Sequence, residues 1–373
     1  MRTLILLCNM LLLPFLLPAQ SAFYIIVGTY TQKESKGIYV YKFDATTGTL
    51  TYVSTAEGVE NPSYLTVAPG NKQVYAVSEW GKGGGQVAAF SFDAAKGQLQ
   101  QLNKQSSGGD GPCYINTDAA GKNVVVGNYS GGSLAVLKIL PDGNVSAPVQ
   151  TIQHSGTSVN KKRQEKAHVH CVEFSPDQQY LYVPDLGIDQ VKIYKYNADA
   201  ATPLTPANPS FAPLFPGAGP RHIVFHTNRK WAYVIRELDG KVTAFRYSKG
   251  KLTEFQSITM LPEDFKGVIS GADIHLSPDG KFLYASNRGD LNNIVIYTVN
   301  AKSGQLQYVG QHTAAGKSPR NFVIDPTGNY LLVANQDTDN IVVLKRDATT
   351  GLLTPTGQEV KVSMPVCLKM IPM

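Results

Sequence analysis

The chain has 373 residues, 43% of them hydrophobic and 17% charged, a balance that excludes a disordered polyelectrolyte. Four cysteines in that length exclude a disulfide scaffold. The formal net charge of +6 is too mild and too scattered to imply a nucleic-acid partner.

The first element in chain order is a sorting signal. Arg2 precedes an apolar run from Leu4 to Leu17, and Pro18-Ala19-Gln20-Ser21-Ala22 follows. A positive start, a hydrophobic stretch and small residues ahead of the remaining chain predict a secretory signal peptide over residues 1–21, cut after Ser21. The apolar run is shorter than the ~20 residues a spanning helix needs. A retained membrane anchor is the competing interpretation. Cleavage predicts a mature chain over 22–373 that is exported, periplasmic or secreted, with no stable membrane insertion. Cys8 departs with the signal and leaves Cys113, Cys171 and Cys367. An odd set of thiols, each beside alternating apolar residues, is expected to be buried and free.

The mature chain then repeats itself. The segment PRNFVIDPTGNYLLVANQ from Pro319 has counterparts at Pro62, Pro112, Val169, Pro220 and Gly271, and a truncated copy, PVCLKMI, at Pro365. The seven marks are spaced 46 to 57 residues apart. Each unit reads as a strand, a tight turn of the SPDG or DPTG kind, a second strand, and then a third and fourth such as NIVVLKRD and GLLTPTG. Four antiparallel strands per ~50 residues is the size of one propeller blade. The C-terminal unit holds only a first strand, whereas FYIIVGTY, GIYVYKF and LTYVSTAE at the other end supply a second, third and fourth. Their pairing predicts an all-β, seven-bladed propeller over 22–373 whose ring is closed by the N-terminal strands on the C-terminal one, leaving no open edge.

Propellers bind ligands at the channel mouth, and antiparallel pairing sets the start of one strand beside the end of the next. One residue past the marks stand Ser63, Cys113, His170, Arg221, Ala272, Arg320 and Val366. Seventeen past them stand Glu79, Tyr129, Leu186, Glu237, Arg288 and Gln336, with Tyr30 completing the column. The positions just before those hold Ser78, Asn128, Asp185, Arg236, Asn287 and Asn335. All three columns are expected at one rim. His170, Arg221, Glu237 and Arg288 do not recur between blades, so the fold does not require them and they are free to serve a site. The longest spacing carries Lys161-Lys162-Arg163-Gln164-Glu165-Lys166-Ala167-His168, a basic loop expected on the same rim, where it would attract anions.

Several other features have plainer explanations. Arg221 and Glu237 lie in one hairpin, where a structural ion pair competes with a site. His168 and His170, expected on one strand face, have metal-ligand spacing, but no third ligand is obvious beyond Asp185. His222 and His226 fall in core-like stretches and are expected to be structural. Arg288-Gly289-Asp290 begins a hairpin turn. The glycines over residues 81–85 lack the strand–helix setting of a phosphate loop and are expected to form a flexible rim loop.

The stretches RQEKAHVHCVEFSPDQQYLYVPDLGIDQV (163–191), GPRHIVFHTNRKWAYVIREL (219–238) and SPRNFVIDPTGNYLLVANQDTDNIVV (318–343), with the opening VGTYT and GIYVYKFDATTGTL, resemble the lactonase family of seven-bladed propellers. This is the family of the propeller-type 6-phosphogluconolactonases, related to the fungal carboxymuconate cyclases. The resemblance implies hydrolysis or formation of a carboxylic lactone with neither metal nor cofactor, and a lactone or sugar acid as ligand. It implies His170, Arg221, Glu237 and Arg288 as catalytic residues. Around them, His168, Asp185, Arg320, Gln336 and Glu79 are expected to bind substrate. Arginine suits oxyanion stabilisation, and either Glu237 or His170 is expected to act as base. The signal peptide departs from the family pattern, because 6-phosphogluconolactone is made in the cytoplasm. That affects the substrate more than the reaction. A non-catalytic exported propeller that binds a sugar acid or a protein, and a muconate-type lactonising cyclase, are the alternatives.

Overall fold

The computed structural model describes residues 21–79 and 84–373. The expected signal segment, apart from Ser21, and most of the glycine-rich loop lie outside the described residues. Seven four-stranded antiparallel sheets form a ring. The inner strand of each blade starts the repeat unit, and three strands follow it outward. From the first complete blade onward the inner strands are Leu65–Val67, Pro112–Thr117, Glu173–Phe174, Pro220–Phe225, Gly271–Leu276 and Pro319–Ile324.

The seventh blade joins the two ends of the chain. Pro365–Pro372 is its inner strand and pairs with Ala22–Thr29, in register Ile25↔Met370 and Val27↔Leu368. Gly37–Asp44 and Thr49–Glu57 complete it. The fold expected from the repeats is the one observed. Among the described residues no helix is long and apolar enough to cross a membrane.

Burial follows position in the blade. Second strands lie between neighbouring blades, are covered on both faces, and so carry continuous apolar sequence: NVVVGN over Asn123–Asn128 is buried throughout. The outer strand Val145–Gln153 alternates, because one of its faces meets solvent. The SPDG-type turns are structural, as their recurrence implied. Ser175 and Ser277 accept the backbone N–H groups of Tyr180 and Phe282, and the Asp325 carboxylate takes Tyr330 N–H in the same way. Gly280 and Gly328, at φ 70° and 76°, supply the left-handed residue of two of these turns. Cys113, Cys171 and Cys367 are buried free thiols.

Two blades depart from the expected pattern: the inner strand expected from Pro62 is regular only over Leu65–Val67, and the third repeat is shorter still. Where the sequence predicts a full inner strand from Val169, the structure has an isolated Val169–Asp185 bridge and only Glu173–Phe174 as regular strand. Beside the bridge the Asp185 carboxylate takes the backbone N–H groups of His168 and Gly187.

A chain ending at Met364 lacks the inner strand of the closing blade and leaves Ala22–Thr29 as an open edge. It is expected to lose the single cooperative melting transition and to aggregate, as checked by calorimetry and light scattering. A chain lacking only Met373 is expected to melt like wild type.

Candidate active site

Two backbone devices build one rim of the channel. In every blade the residue just past the second strand donates its N–H to the carbonyl just ahead of the inner strand. These bonds are Tyr30→Met364, Glu79→Asn61, Tyr129→Gly111, Leu186→His168, Glu237→Gly219, Arg288→Ser270 and Gln336→Ser318, at 2.8–3.2 Å. Seven equivalent positions therefore ring one end of the channel. The inner strands also bulge at their first residues. Register shifts occur between Pro112 and Tyr114, Pro220 and Ile223, Gly271 and Ile274, and Pro319 and Asn321. A bulge inserts a residue and re-aims its side chain. Arg221 and Arg320 sit in two of them.

Side chains at this rim surround a cavity of about 450 Å³ lined by Tyr30, Glu79, Cys113, Tyr129, Ser130, Arg163, His170, Glu237, Ser270, Arg288 and Arg320, while Arg221, fully buried, lies outside that lining and meets it through Glu237. At its centre the Glu237 carboxylate meets three guanidinium groups. Oε1 lies 2.7 Å from Arg163 Nη2, and Oε2 lies 3.1 Å from both Arg221 Nε and Arg288 Nη2. Across the mouth, Tyr30 donates its hydroxyl to Glu79 Oε2 at 3.0 Å, and Arg320 lies over the Tyr30 ring. His170 is buried beneath. Among the described residues its ring has one neighbour within hydrogen-bonding range, Cys113 Sγ, 3.9 Å from Nδ1.

Burial alone would raise the Glu237 carboxyl, but the fields of Arg288, Arg221 and Arg163 together overcome it and hold it down at about 2. Burial pushes Glu79 upward, and Arg320 opposes it only in part. Burial, then the charges of Arg221 and Arg320 and the neighbouring His222, keep His170 well below the usual imidazole range, so it is neutral at pH 7. Burial also lowers Arg288, to about 10, which leaves it protonated at neutral pH. Among the described residues, Arg221 Nε and Arg288 Nε are buried donors with no partner at hydrogen-bonding geometry. The short Arg221–Glu237 approach is a charge contact, not an aligned hydrogen bond. Buried donors of this kind are costly unless something else accepts from them.

The structure thus gathers His170, Arg221, Glu237, Arg288, Arg320 and Glu79. It places three of the expected substrate-binding residues elsewhere. His168 does not line the cavity: it stacks on Tyr129 at 4.4 Å and donates Nδ1–H to the Tyr129 carbonyl, while the His170 ring meets the same tyrosine edge to face. Asp185 is fully buried, with Oδ2 on His154 Nδ1 at 2.7 Å and Oδ1 on the His168 N–H. It ties its blade to the preceding one. Gln336 occupies its expected place in the ring but does not line the cavity, whose wall on that side is Arg320 over Tyr30. Arg163, which contacts Glu237, was legible only as part of a basic loop. His222 and His226 are satisfied by Asp273 and the Gly280 carbonyl.

The sequence profile described as "Lactonase, 7-bladed beta-propeller" matches residues 24–370. A Bacillus subtilis protein named 6-phosphogluconolactonase is 38% identical over 347 residues, covering 92% of this chain and 97% of its own. A crystal structure from Bacteroides fragilis, assigned as a 6-phosphogluconolactonase, superposes with a TM-score of 0.91 at 43% identity, covering 95% of this chain and 99% of its own. The periplasmic gluconolactonase of Pseudomonas aeruginosa superposes with a TM-score of 0.90 at 38% identity, over 94% and 99%.

The carboxylate at the centre carries a pH signature. A carboxyl lowered from 4.5 to about 2 on folding contributes stability that is present above the unfolded value and is lost as pH falls through the folded one. Glu237→Gln is therefore expected to be less stable than wild type by on the order of 3 kcal/mol at pH 7. The difference should shrink toward zero between about pH 4.5 and pH 2, measured by denaturant titration across that range.

Proposed function

We propose that this chain, which belongs to the family of seven-bladed β-propeller lactonases, hydrolyses the ester ring of an anionic sugar lactone. One observation carries the proposal: two buried arginine N–H donors, Arg221 Nε and Arg288 Nε, have no aligned acceptor among the described residues. Lactone opening creates an oxyanion at the carbonyl oxygen, and fixed donors aimed at that charge are what the transition state requires. Guanidinium groups provide such donors without changing protonation.

The two candidate bases are not equivalent. Glu237 is engaged by three guanidinium groups and held at about 2, so it accepts a proton poorly at neutral pH. Its role is to hold the arginines. His170 is also held low, by burial and the charges of Arg221 and Arg320, but it is neutral and outside the ion cluster. Among the described residues Cys113 is its one neighbour in hydrogen-bonding range, which leaves its ring to take a proton from the attacking water. Once protonated, its imidazolium would return that proton to the ring oxygen as the acyl–oxygen bond breaks. Glu79 and Tyr30, on the far wall, offer an acceptor and a phenol to substrate hydroxyls.

The charge balance favours an anionic substrate. The site and its edge hold the guanidiniums of Arg163, Arg221, Arg288 and Arg320 against the carboxylates of Glu79 and Glu237. Arg163 is the most exposed of the ion-paired arginines, its side chain 43% accessible at the outer edge, and it suits a distal phosphate or carboxylate. Export is part of the proposal. Its supports are the signal-like segment after Arg2 and the likeness to a gluconolactonase named as periplasmic.

The purified protein is expected to hydrolyse gluconolactone-type substrates in a pH-indicator assay. Arg221→Ala and Arg288→Ala should each lower kcat/KM by about a hundredfold or more. His170→Ala should cost ~10²–10⁴-fold. Arg163→Ala should raise KM for the phosphorylated lactone and leave the unphosphorylated one nearly unchanged. Folded arginine variants with wild-type rates would remove the assignment.

A further inference from the structure

Arg221 emerges from the channel wall, and its end is held from beneath. Nη1 donates to His222 Nε2 at 3.0 Å and to the Ala272 carbonyl at 2.5 Å. Adjacent residues on a regular strand point to opposite faces. The bulge between Pro220 and Ile223 is what allows both Arg221 and His222 to face the channel.

The direction of the hydrogen bonds fixes the imidazole. Arginine has donors and no acceptor, so His222 Nε2 must present a lone pair and the ring proton must lie on Nδ1. Nδ1 meets Asp273 Oδ1 at 2.7 Å, an acceptor in the required place. Asp273 is itself immobilised. Its Oδ2 takes hydrogen bonds from Asn321 Nδ2, from the Phe322 N–H at 3.2 Å and from His275 Nε2 at 2.9 Å. His222, Asp273 and His275 border a second cavity, of about 390 Å³, farther along the inner strands. The His170 and His222 rings meet edge to face at 5.4 Å between the two cavities.

We propose that His222, held in a single tautomer by Asp273, is the positioning residue that aims Arg221 at the substrate. The proposal rests on the lactonase assignment for Arg221, because His222 acts only through that guanidinium. With Nη1 anchored below, the Nε–H edge is left facing Glu237 and the mouth. If the imidazole turned over or gained a second proton, an N–H would face an N–H and Arg221 would be pushed away. Burial and the adjacent Arg221 charge lower His222 to about 3, which keeps the accepting form populated. Displacements of about 1 Å in a reacting constellation are enough to cost about a hundredfold in rate.

The test compares wild type with His222→Leu, His222→Gln and Arg221→Ala on one lactone, with melting temperatures measured alongside. His222→Leu is expected to lower kcat about 30- to 100-fold with little change in KM, and to melt lower than wild type because the buried Asp273 Oδ1 loses its partner. His222→Gln can accept from Arg221 through Oε1 and donate to Asp273 through Nε2, and it is expected to retain kcat within about fivefold. Nitrogen NMR of wild-type His222, which needs neither activity nor a variant that folds, should report the Nδ1–H tautomer. An active wild type in which His222→Leu is folded and as fast as wild type, while Arg221→Ala is dead, overturns the positioning role and leaves the lactonase assignment standing. The Nε2–H tautomer or an imidazolium overturns it as well. A wild type inactive on every lactone defeats the lactonase assignment and the positioning role with it.

Discussion

Three guanidinium groups can converge at the mouth of this channel only because a buried carboxylate stands among them. Like charges ~5 Å apart at an effective dielectric of about 20 repel by about 3 kcal/mol. Burial adds a further cost to each cation. Glu237 offsets both, with one oxygen on Arg163 and the other between Arg221 and Arg288. The same contact holds the Glu237 carboxyl at about 2. A single ion cluster thus holds four charged side chains together at one end of the channel.

The propeller makes such a cluster affordable. Glu237 and Arg221 come from one blade, Arg288 from the next, and Arg163 from the loop that enters the preceding blade. Glu237 and Arg288 are each fixed by their own sheet through the N–H-to-carbonyl bond that recurs in all seven blades, and Arg221 by the bulge at the start of its inner strand. No backbone need move for the charges to meet. Closure of the ring by Pro365–Pro372 on Ala22–Thr29 holds the blades at their spacing.

Much of this was legible in the repeat. Aligning seven copies located the positions one and seventeen residues past each mark, and the second set is the ring of equivalent hydrogen bonds. The column just before it lies at the same rim, but adjacent strand residues face opposite ways, so beside Glu237 and Arg288 the side chains of Arg236 and Asn287 turn from the channel. That column tethers blade to blade: Asn128, Asn287 and Asn335 donate to the carbonyls of Ser107, Met260 and Ala314, and Asp185 holds His154 in the same role. Alternation alone would have shown this. The bulges that turn Arg221 and His222 to one side could not be read, because they depend on pairing register. Arg163 was not separable from its basic neighbours, since it lies in an insertion that the period does not place.

In the proposed function the Nε–H groups of Arg221 and Arg288, which lack an aligned acceptor among the described residues, face the acyl group of a guest. A crystal structure with the open-chain sugar acid bound tests it most directly. The acid's carboxylate is expected within hydrogen-bonding distance of both Nε atoms, with its hydroxyls toward Glu79 and Tyr30. A sugar acid lodged only in the second cavity, beside Lys369 and His275, or bound at the mouth with its carboxylate turned from both arginines, would contradict it.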